Sequence, residues 1–255
     1  MQHPYNFSSV ITCDHGNIIV NRFDTNQTNS LFKTGRALDY SEISALGMLL
    51  KNAPSYATCL DVGANFGLFS LEFGRILAPK KGVCHGFEAQ RIIAYMAAGT
   101  MMLNGVENVH IHHKAVGREA GKIPIPRFDY SKEASFGSIE FGHRQQEFIG
   151  QHPQDDSEVS EMVEVVTLDS QDFANVFLIK VDVEGMEQEV LAGGKELIAR
   201  DKPVLCLEWL KSDKPALVAA VKSFGYEVYE WQQDLICVDP EKKASYQIRF
   251  DLQRL

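Results

Sequence analysis

The sequence predicts an α/β fold: a mostly parallel sheet covered by helices and finished by an antiparallel hairpin. Three observations carry that prediction. Apolar strand-like runs alternate with helix-period segments from residue 58 to about residue 224. The run Cys59-Leu-Asp-Val-Gly-Ala-Asn-Phe-Gly67 reads as the end of a buried strand, a tight glycine turn and the start of a helix. Two further strand-like runs, Tyr226 to Trp231 and Leu235 to Val238, stand close enough to pair as a hairpin.

The chain has 255 residues, of which 45% are hydrophobic and 23% charged, enough for one α/β domain with a substantial core. The expected organisation is a single domain over residues 1–255, with an N-terminal extension over 1–55 and an inserted lid over 118–162. A net charge of −9 argues against a broad nucleic-acid surface. The five cysteines are odd in number and widely spaced, and no C-x-x-C pair suggests zinc. No basic start followed by an apolar stretch marks a signal peptide, and no apolar run approaches the roughly 20 residues that span a bilayer. A cytoplasmic protein is the expectation, acting on neither membrane nor nucleic acid; the sequence leaves the oligomeric state open.

Element by element, residues 8 to 25 read as a hairpin turning at Asp14 to Asn17, and Thr25 to Asn29 as loop. Ser41 to Lys51 has a helical apolar face with Ser41 as N-cap. Thr58 to Val62 is the first parallel strand. Phe66, Phe69, Phe73 and Leu77 mark its helix, and Gly67 is expected to let that helix pack on the strand it leaves. Val83 to Phe87 is the second strand, ending at Glu88; a helix from Gln90 to Leu103 and a strand from Val109 to Val116 follow. Three neighbouring histidines, His110, His112 and His113, invite a metal reading. Opposite faces for His112 and His113, with no carboxylate at ligand spacing, argue against it, and no metal site is assigned.

Residues 118 to 162 break the alternation with prolines, glycines and an acidic run, which fits a hairpin and a mobile loop beside the crevice, a lid over substrate. Val163 to Thr167 is a short strand, with Asp169 expected to cap a helix over Gln171 to Ala174. Phe177 to Val183, a helix broken at Gly193-Gly194, Val204 to Trp209 and a helix over Lys214 to Phe224 complete the alternation.

The glycine turn points to a ligand. A dinucleotide fingerprint needs a middle glycine for its pyrophosphate, and Gly63-Ala-Asn-Phe-Gly67 lacks it. Asp61 at the strand end would also repel phosphate. S-adenosylmethionine, which carries an ammonium and a sulfonium and no phosphate, fits better. Glu88 lies 21 residues past Gly67, suited to the two hydroxyls of an adenosine ribose.

A central parallel strand is usually apolar throughout. In Ile179-Lys-Val-Asp-Val-Glu184, Lys180, Asp182 and Glu184 share one face, and burying them costs several kcal/mol unless they are paired or ligated. Lys180 pairing with Asp182 is a structural reading that can coexist with function. Glu208 ends the neighbouring strand and would point into the same crevice; Glu187 could face either way.

Leu60-Asp-Val-Gly-Ala-Asn-Phe-Gly67, Gly86-Phe-Glu88, Asn104, Thr167-Leu-Asp169 and Ile179-Lys-Val-Asp-Val-Glu-Gly-Met-Glu187 together resemble the FkbM-type S-adenosylmethionine-dependent methyltransferases. The resemblance spans roughly residues 10 to 240. K-x-D-x-E-G-x-E is its most specific part. It implies a seven-stranded Rossmann-like methyltransferase sheet, mostly parallel with an antiparallel last strand. It also implies O-methylation of a sugar, glycan or polyketide-like hydroxyl. Ala89 departs from the proline often found after the acid. On this reading Asp61, Gly63, Asn65 and Gly67 surround the methionine half, Glu88 holds the ribose, and Ala115 and Val116 flank adenine. Asp182, Glu184 and Glu208 are candidate bases or acceptor-hydroxyl partners, and Lys180 orients Asp182 or stabilises an alkoxide. Mg²⁺ on the carboxylates, a cofactor-binding protein without turnover and a nucleotide-dependent oxidoreductase are the alternatives.

Overall fold

The computed structural model describes residues 6–140, 147–152, 160–243 and 253–255. Strands β1 (Ser8–Cys13) and β2 (Gly16–Asn21) form the N-terminal hairpin, followed by helices α1 (Gln27–Thr34) and α2 (Tyr40–Leu50). Then come β3 (Thr58–Val62), α3 (Leu68–Leu77), β4 (Val83–Glu88), α4 (Arg91–Leu103), β5 (Val109–His113), β6 (Ala115–Val116), β7 (Gly121–Ile125) and β8 (Glu161–Val166). The chain continues through β9 (Val176–Val181), α5 (Glu187–Ala192), α6 (Lys195–Asp201), β10 (Val204–Glu208), α7 (Lys214–Ser223), β11 (Glu227–Trp231), β12 (Asp234–Val238) and β13 (Gln253–Arg254).

The main sheet runs β11-β12-β10-β9-β3-β4-β5, with the two-residue β13 added outside β11. The five strands from β10 to β5 are parallel, and β12 is antiparallel to both its neighbours. This is the seven-stranded, mostly parallel sheet the sequence predicts. The chain builds outward from β3 through β4 to β5, then returns to β9 and builds the other way. The crevice beyond β3 and β9 is therefore the switch point where ligands bind in open α/β sheets. Continuous burial of β3 and near-continuous burial of β9 and β10 explain why these strands were legible. Phe66, Leu71, Phe73 and Leu77 fill the core on one side of the sheet; Ile179, Val190, Leu197 and Leu205 fill it on the other. Among the described residues no helix is long and apolar enough to cross a membrane.

Several elements differ from expectation for local reasons. The segment from Thr25 is not all loop: α1 begins at Gln27. The Asp24 carboxylate accepts from the Thr28 N–H at 2.8 Å, and Gln27 and Thr28 are buried despite their polarity. Helix α2 starts one residue early, with Asp39 rather than Ser41 at its N-cap. The strand expected to reach Val116 stops at His113. The Lys114 N–H turns back to the His112 carbonyl, and β6 joins a separate sheet of order β6-β8-β7. Asp169 caps a different helix, accepting from the N–H groups of Glu196 and Leu197 at the start of α6; no helix covers 171–174. A Cβ on Gly67 would meet Ala97 and Met101 of α4, so its smallness serves helix-to-helix packing rather than contact with β3.

The N-terminal extension and the inserted segment are hydrogen-bonded to each other over the carboxyl end of the sheet. Ala134 bridges to Phe23 and Thr25, the Phe136 N–H donates to Asp24, and Asn26 Nδ2 donates to Ser135. Asn104 anchors the hairpin, exchanging two hydrogen bonds with the backbone of Asn17. Residues 141–146 and 153–159 of the expected mobile loop lie outside the described residues.

Candidate active site

Two clefts meet at the switch point. The first, about 590 Å³ of space open to solvent, is walled by Gly63, Asn65, Glu88, Ala115, Val116 and Asp182, among others. The second, about 820 Å³, lies under the N-terminal extension and the inserted segment, with Asn26, Asp39, Ser135, Asp182, Glu184 and Glu208 in its walls. Asn65, Gly137, Asp182 and Glu184 belong to both.

The turn after β3 is shaped by β9. Gly63 has φ +92°, and a Cβ there would sit 1.7 Å from the Asp182 carbonyl oxygen. Asp182 donates its own N–H to the Val62 carbonyl at 2.9 Å, so the two strand ends are stitched together. Glu88 is buried at the end of β4. Its oxygens accept from the N–H of Asn65 at 3.0 Å and of Gln90 at 2.8 Å. Burial pushes this carboxyl up to about 7 despite those donors, with Asp182 and Asp61 adding to the rise. Asp61 and Gly67 line neither cleft. Asp61 is fully buried behind the turn, where Ser70 donates to Oδ2 at 2.6 Å and Oδ1 has no partner among the described residues. Burial raises its carboxyl too, against the pull of Lys180.

Lys180 is 3% exposed and also lines neither cleft. Its ammonium bonds Asp182 Oδ2 at 2.9 Å and stands 4.5 Å from the Phe69 ring centroid. Burial alone would lower its pKa, but the carboxylates of Asp182, Asp61 and Glu42 outweigh burial and raise it well above the usual value. Direct contact of Lys180 with a substrate alkoxide does not fit this position; orienting Asp182 does. Glu184, at φ +57°, is held by Lys211 at 2.8 Å and pushed up to about 7, chiefly by burial and by Asp182. Glu208 reaches about 10 through burial and the charges of Asp182 and Glu184. Glu187 faces inward: Oε1 accepts from the N–H of Val183 and Gly185, and Oε2 accepts from the Ser212 hydroxyl. It braces the turn after β9.

A family model described as the Methyltransferase FkbM domain matches residues 61–228. The chain belongs to the FkbM methyltransferase family. No curated protein matches it by sequence. Among solved structures it is similar to an FkbM methyltransferase from Methylobacillus flagellatus KT, at 17% identity and TM-score 0.49, over 73% of this chain and 44% of that one. It is similar to an S-adenosylmethionine-dependent O-methyltransferase from Thermotoga maritima at 12% identity and TM-score 0.45, over 91% of this chain and 72% of that one. A Pyrococcus abyssi tRNA (uracil-54, C5)-methyltransferase in complex with S-adenosyl-L-homocysteine aligns at 13% identity and TM-score 0.43, over 91% and 44%. The chain thus spans less than half of the Methylobacillus and Pyrococcus proteins.

FkbM methyltransferases use S-adenosylmethionine, and the first cleft fits it. Gly63 keeps the turn clear of a side chain, and Glu88 offers a carboxyl with spare lone pairs at the second strand end. Asn65 carries a buried Oδ1 without a partner among the described residues. Lys114, the one basic residue among the described walls, is already paired with Glu164, so nothing there is built for phosphate.

Sequence reasoning missed three acids around Lys180 in this FkbM site. Glu42 and Asp234 are buried, and Asp39 accepts from Gln27. Glu42 gave a signal: an acid among Ile43, Leu46, Leu49 and Leu50 on the buried face of α2. Asp39 and Asp234, at element ends, look like ordinary turn acids. Lys211, Asn26 and Gln27 were missed because nothing local marks residues that reach a site from loops and extensions.

Proposed function

We propose that this chain is an S-adenosylmethionine-dependent O-methyltransferase acting on a hydroxyl of a small sugar-, glycan- or polyketide-like molecule. One observation carries the reading: the cleft at the glycine turn and the acid-walled cleft share Asn65, Asp182 and Glu184, so a donor in one and an acceptor in the other meet at a side chain able to take a proton.

When bound, S-adenosylmethionine supplies a methyl group activated by its sulfonium. Glu88 holds the ribose hydroxyls, with Gly63 and Asn65 against the methionine half and Ala115 and Val116 beside the base. Asp61 and Gly67 support that turn from behind. Asp182 is the base. Lys180 occupies Oδ2, which leaves Oδ1 for the acceptor hydroxyl, and the proton lost by that oxygen passes to Oδ1. Glu208, protonated at neutral pH, donates to an acceptor oxygen instead of removing a proton. Glu184, fixed by Lys211, shapes the shared wall. Carboxylates near a sulfonium favour the charged ground state at least as much as the transition state, so their benefit is binding. Rate comes from alignment and from proton removal.

The test is transfer from methyl-labelled cofactor to a panel of sugar, glycan and polyketide alcohols. The expected product carries a methoxy group, and Asp182→Asn loses turnover while S-adenosylhomocysteine still binds. Label on carbon or nitrogen, or full turnover by the variant, contradicts the reading. A cofactor that binds and never loses its methyl favours a binding protein of the same fold.

A further inference from the structure

We propose that Gly137 sets the width of the opening through which donor and acceptor meet, and so is a specificity-determining residue for the transfer. The inference rests on the methyltransferase reading above and gives the inserted segment a defined part in it.

Four residues line both clefts: Asn65, Gly137, Asp182 and Glu184. Asn65 belongs to the turn after β3, and Asp182 and Glu184 to the turn after β9. Gly137 comes from the inserted segment, in the single 3₁₀ turn Phe136–Ser138. The opening between the clefts therefore has the two strand ends on one side and this turn on the other. A substituent on the cofactor's sulfur, pointing from the first cleft to the second, has to pass it.

The backbone does not require a glycine here. Unlike Gly63, Gly137 has a φ outside the left-handed region. What a side chain would lack is room across the opening. A Cβ at Gly137 would lie 2.7 Å from Asn65 Nδ2 and 3.7 Å from Asn65 Cγ, and would meet nothing else within 4 Å among the described residues. It would face the cofactor turn across the gap instead of entering the packed interior.

Neither jaw is free to withdraw. Asn65 donates its N–H to Glu88 Oε2 at 3.0 Å, and its backbone is held at φ +48°. On the other side, the Phe136 N–H donates to buried Asp24 at 3.3 Å, and the Phe136 carbonyl accepts from Gln90 Nε2 at 2.7 Å. The Ser138 carbonyl accepts from Lys211 at 3.0 Å, and the Ser135 and Ser138 hydroxyls are 2.9 Å apart. Phe136 is itself fully buried. Both neighbours of Gly137 are thus tied, to the N-terminal extension, to the start of α4 and to the loop after β10. Bulk added at 137 must be taken up by the opening, because a close-packed support transmits strain instead of yielding to it.

The experiment needs no acceptor. S-adenosylhomocysteine, S-adenosylmethionine and S-adenosylethionine are titrated calorimetrically into the full chain and into Gly137→Ala and Gly137→Leu. The last two ligands carry the same charge and differ by one methylene on sulfur, so the ratio of their affinities reads the room left for that substituent. The unsubstituted chain is expected to bind both. The ratio should shift several-fold against the ethyl compound in Gly137→Ala and by about tenfold or more in Gly137→Leu. Melting temperatures should stay close to that of the unsubstituted chain. A ratio that is the same in all three proteins overturns the inference, as does an unsubstituted chain that binds the methyl compound and rejects the ethyl one. A Gly137→Ala protein that melts far below its parent shows a glycine kept for the fold and overturns it too. All three of those outcomes leave the methyltransferase reading intact. Failure of S-adenosylhomocysteine to bind the unsubstituted chain overturns that reading and this inference with it.

Discussion

Gly63 and Asp182 occupy space that neither could share with a side chain at the first position. The glycine's missing Cβ would lie 1.7 Å from the Asp182 carbonyl oxygen. The cofactor turn and the candidate base are therefore placed by one backbone contact between neighbouring strands, β3 and β9. Gly63→Ala must open that contact and hold an alanine at φ +92°. The expected cost is about 3 kcal/mol, with S-adenosylhomocysteine binding lost. At this chain length that lowers the melting temperature by roughly 6–12 °C. Thermal denaturation and titration of the variant check both.

With Glu88 on the ribose, as proposed, cofactor affinity should depend on pH. A ribose diol donates two hydrogen bonds, so the ionised carboxylate binds it best. With the carboxyl at about 7 in the folded protein, S-adenosylhomocysteine affinity should fall as pH drops below 7, approaching about tenfold per unit. Glu88→Gln should bind weakly and without that slope. Calorimetry from pH 5.5 to 8.5 measures it.

Stability should run the other way. Glu88, Glu184 and Asp234 are each raised to about 7, chiefly by burial. Their protonated forms favour the folded state, so this contribution is complete below the ordinary carboxyl range. It is lost as pH rises through 7. Without cofactor, the melting temperature should be higher at pH 5.5 than at pH 8.

Lys180 faces Asp182, Asp61 and Glu42 from within the core as an ammonium. Lys180→Met leaves those buried carboxylates uncompensated, a loss of roughly 3–5 kcal/mol. The loss should be smaller at pH 5.5 than at pH 8, because protonation relieves the repulsion. A purely steric defect would be pH-independent. Denaturant unfolding at the two pH values separates them.

Lys211 ties the inserted segment to the shared wall through Glu147, Glu184 and the Ser138 carbonyl. Lys211→Met should raise the acceptor KM several-fold, leave cofactor affinity within twofold, and speed proteolysis within residues 130–160. Steady-state kinetics and limited digestion report these effects.

The parallel strands were legible because burial on both faces writes continuous apolar runs, as in Thr58 to Val62 and Val204 to Glu208. The charged end of β9 was legible because Lys180, and Asp182 just beyond the strand, break such a run. Helix α1 was not, since its start is fixed by Asp24 and by buried polar groups, which carry no apolar period. The break before β6 was hidden because no proline or glycine marks Lys114. The acceptor cleft was the least legible part: Asn26, Asp39, Ser135 and Lys211 come together only through tertiary contacts between the extension, the insertion and the loop after β10.

The most direct test of the account is calorimetric titration with S-adenosylhomocysteine, with NAD as control, on the full chain and on Glu88→Ala. Saturable one-site binding of S-adenosylhomocysteine alone, weakened at least tenfold by Glu88→Ala, is the predicted result. Well-folded protein that binds neither ligand, or that binds NAD, or whose S-adenosylhomocysteine affinity ignores Glu88, would contradict the placement of the cofactor at the β3–β4 turn.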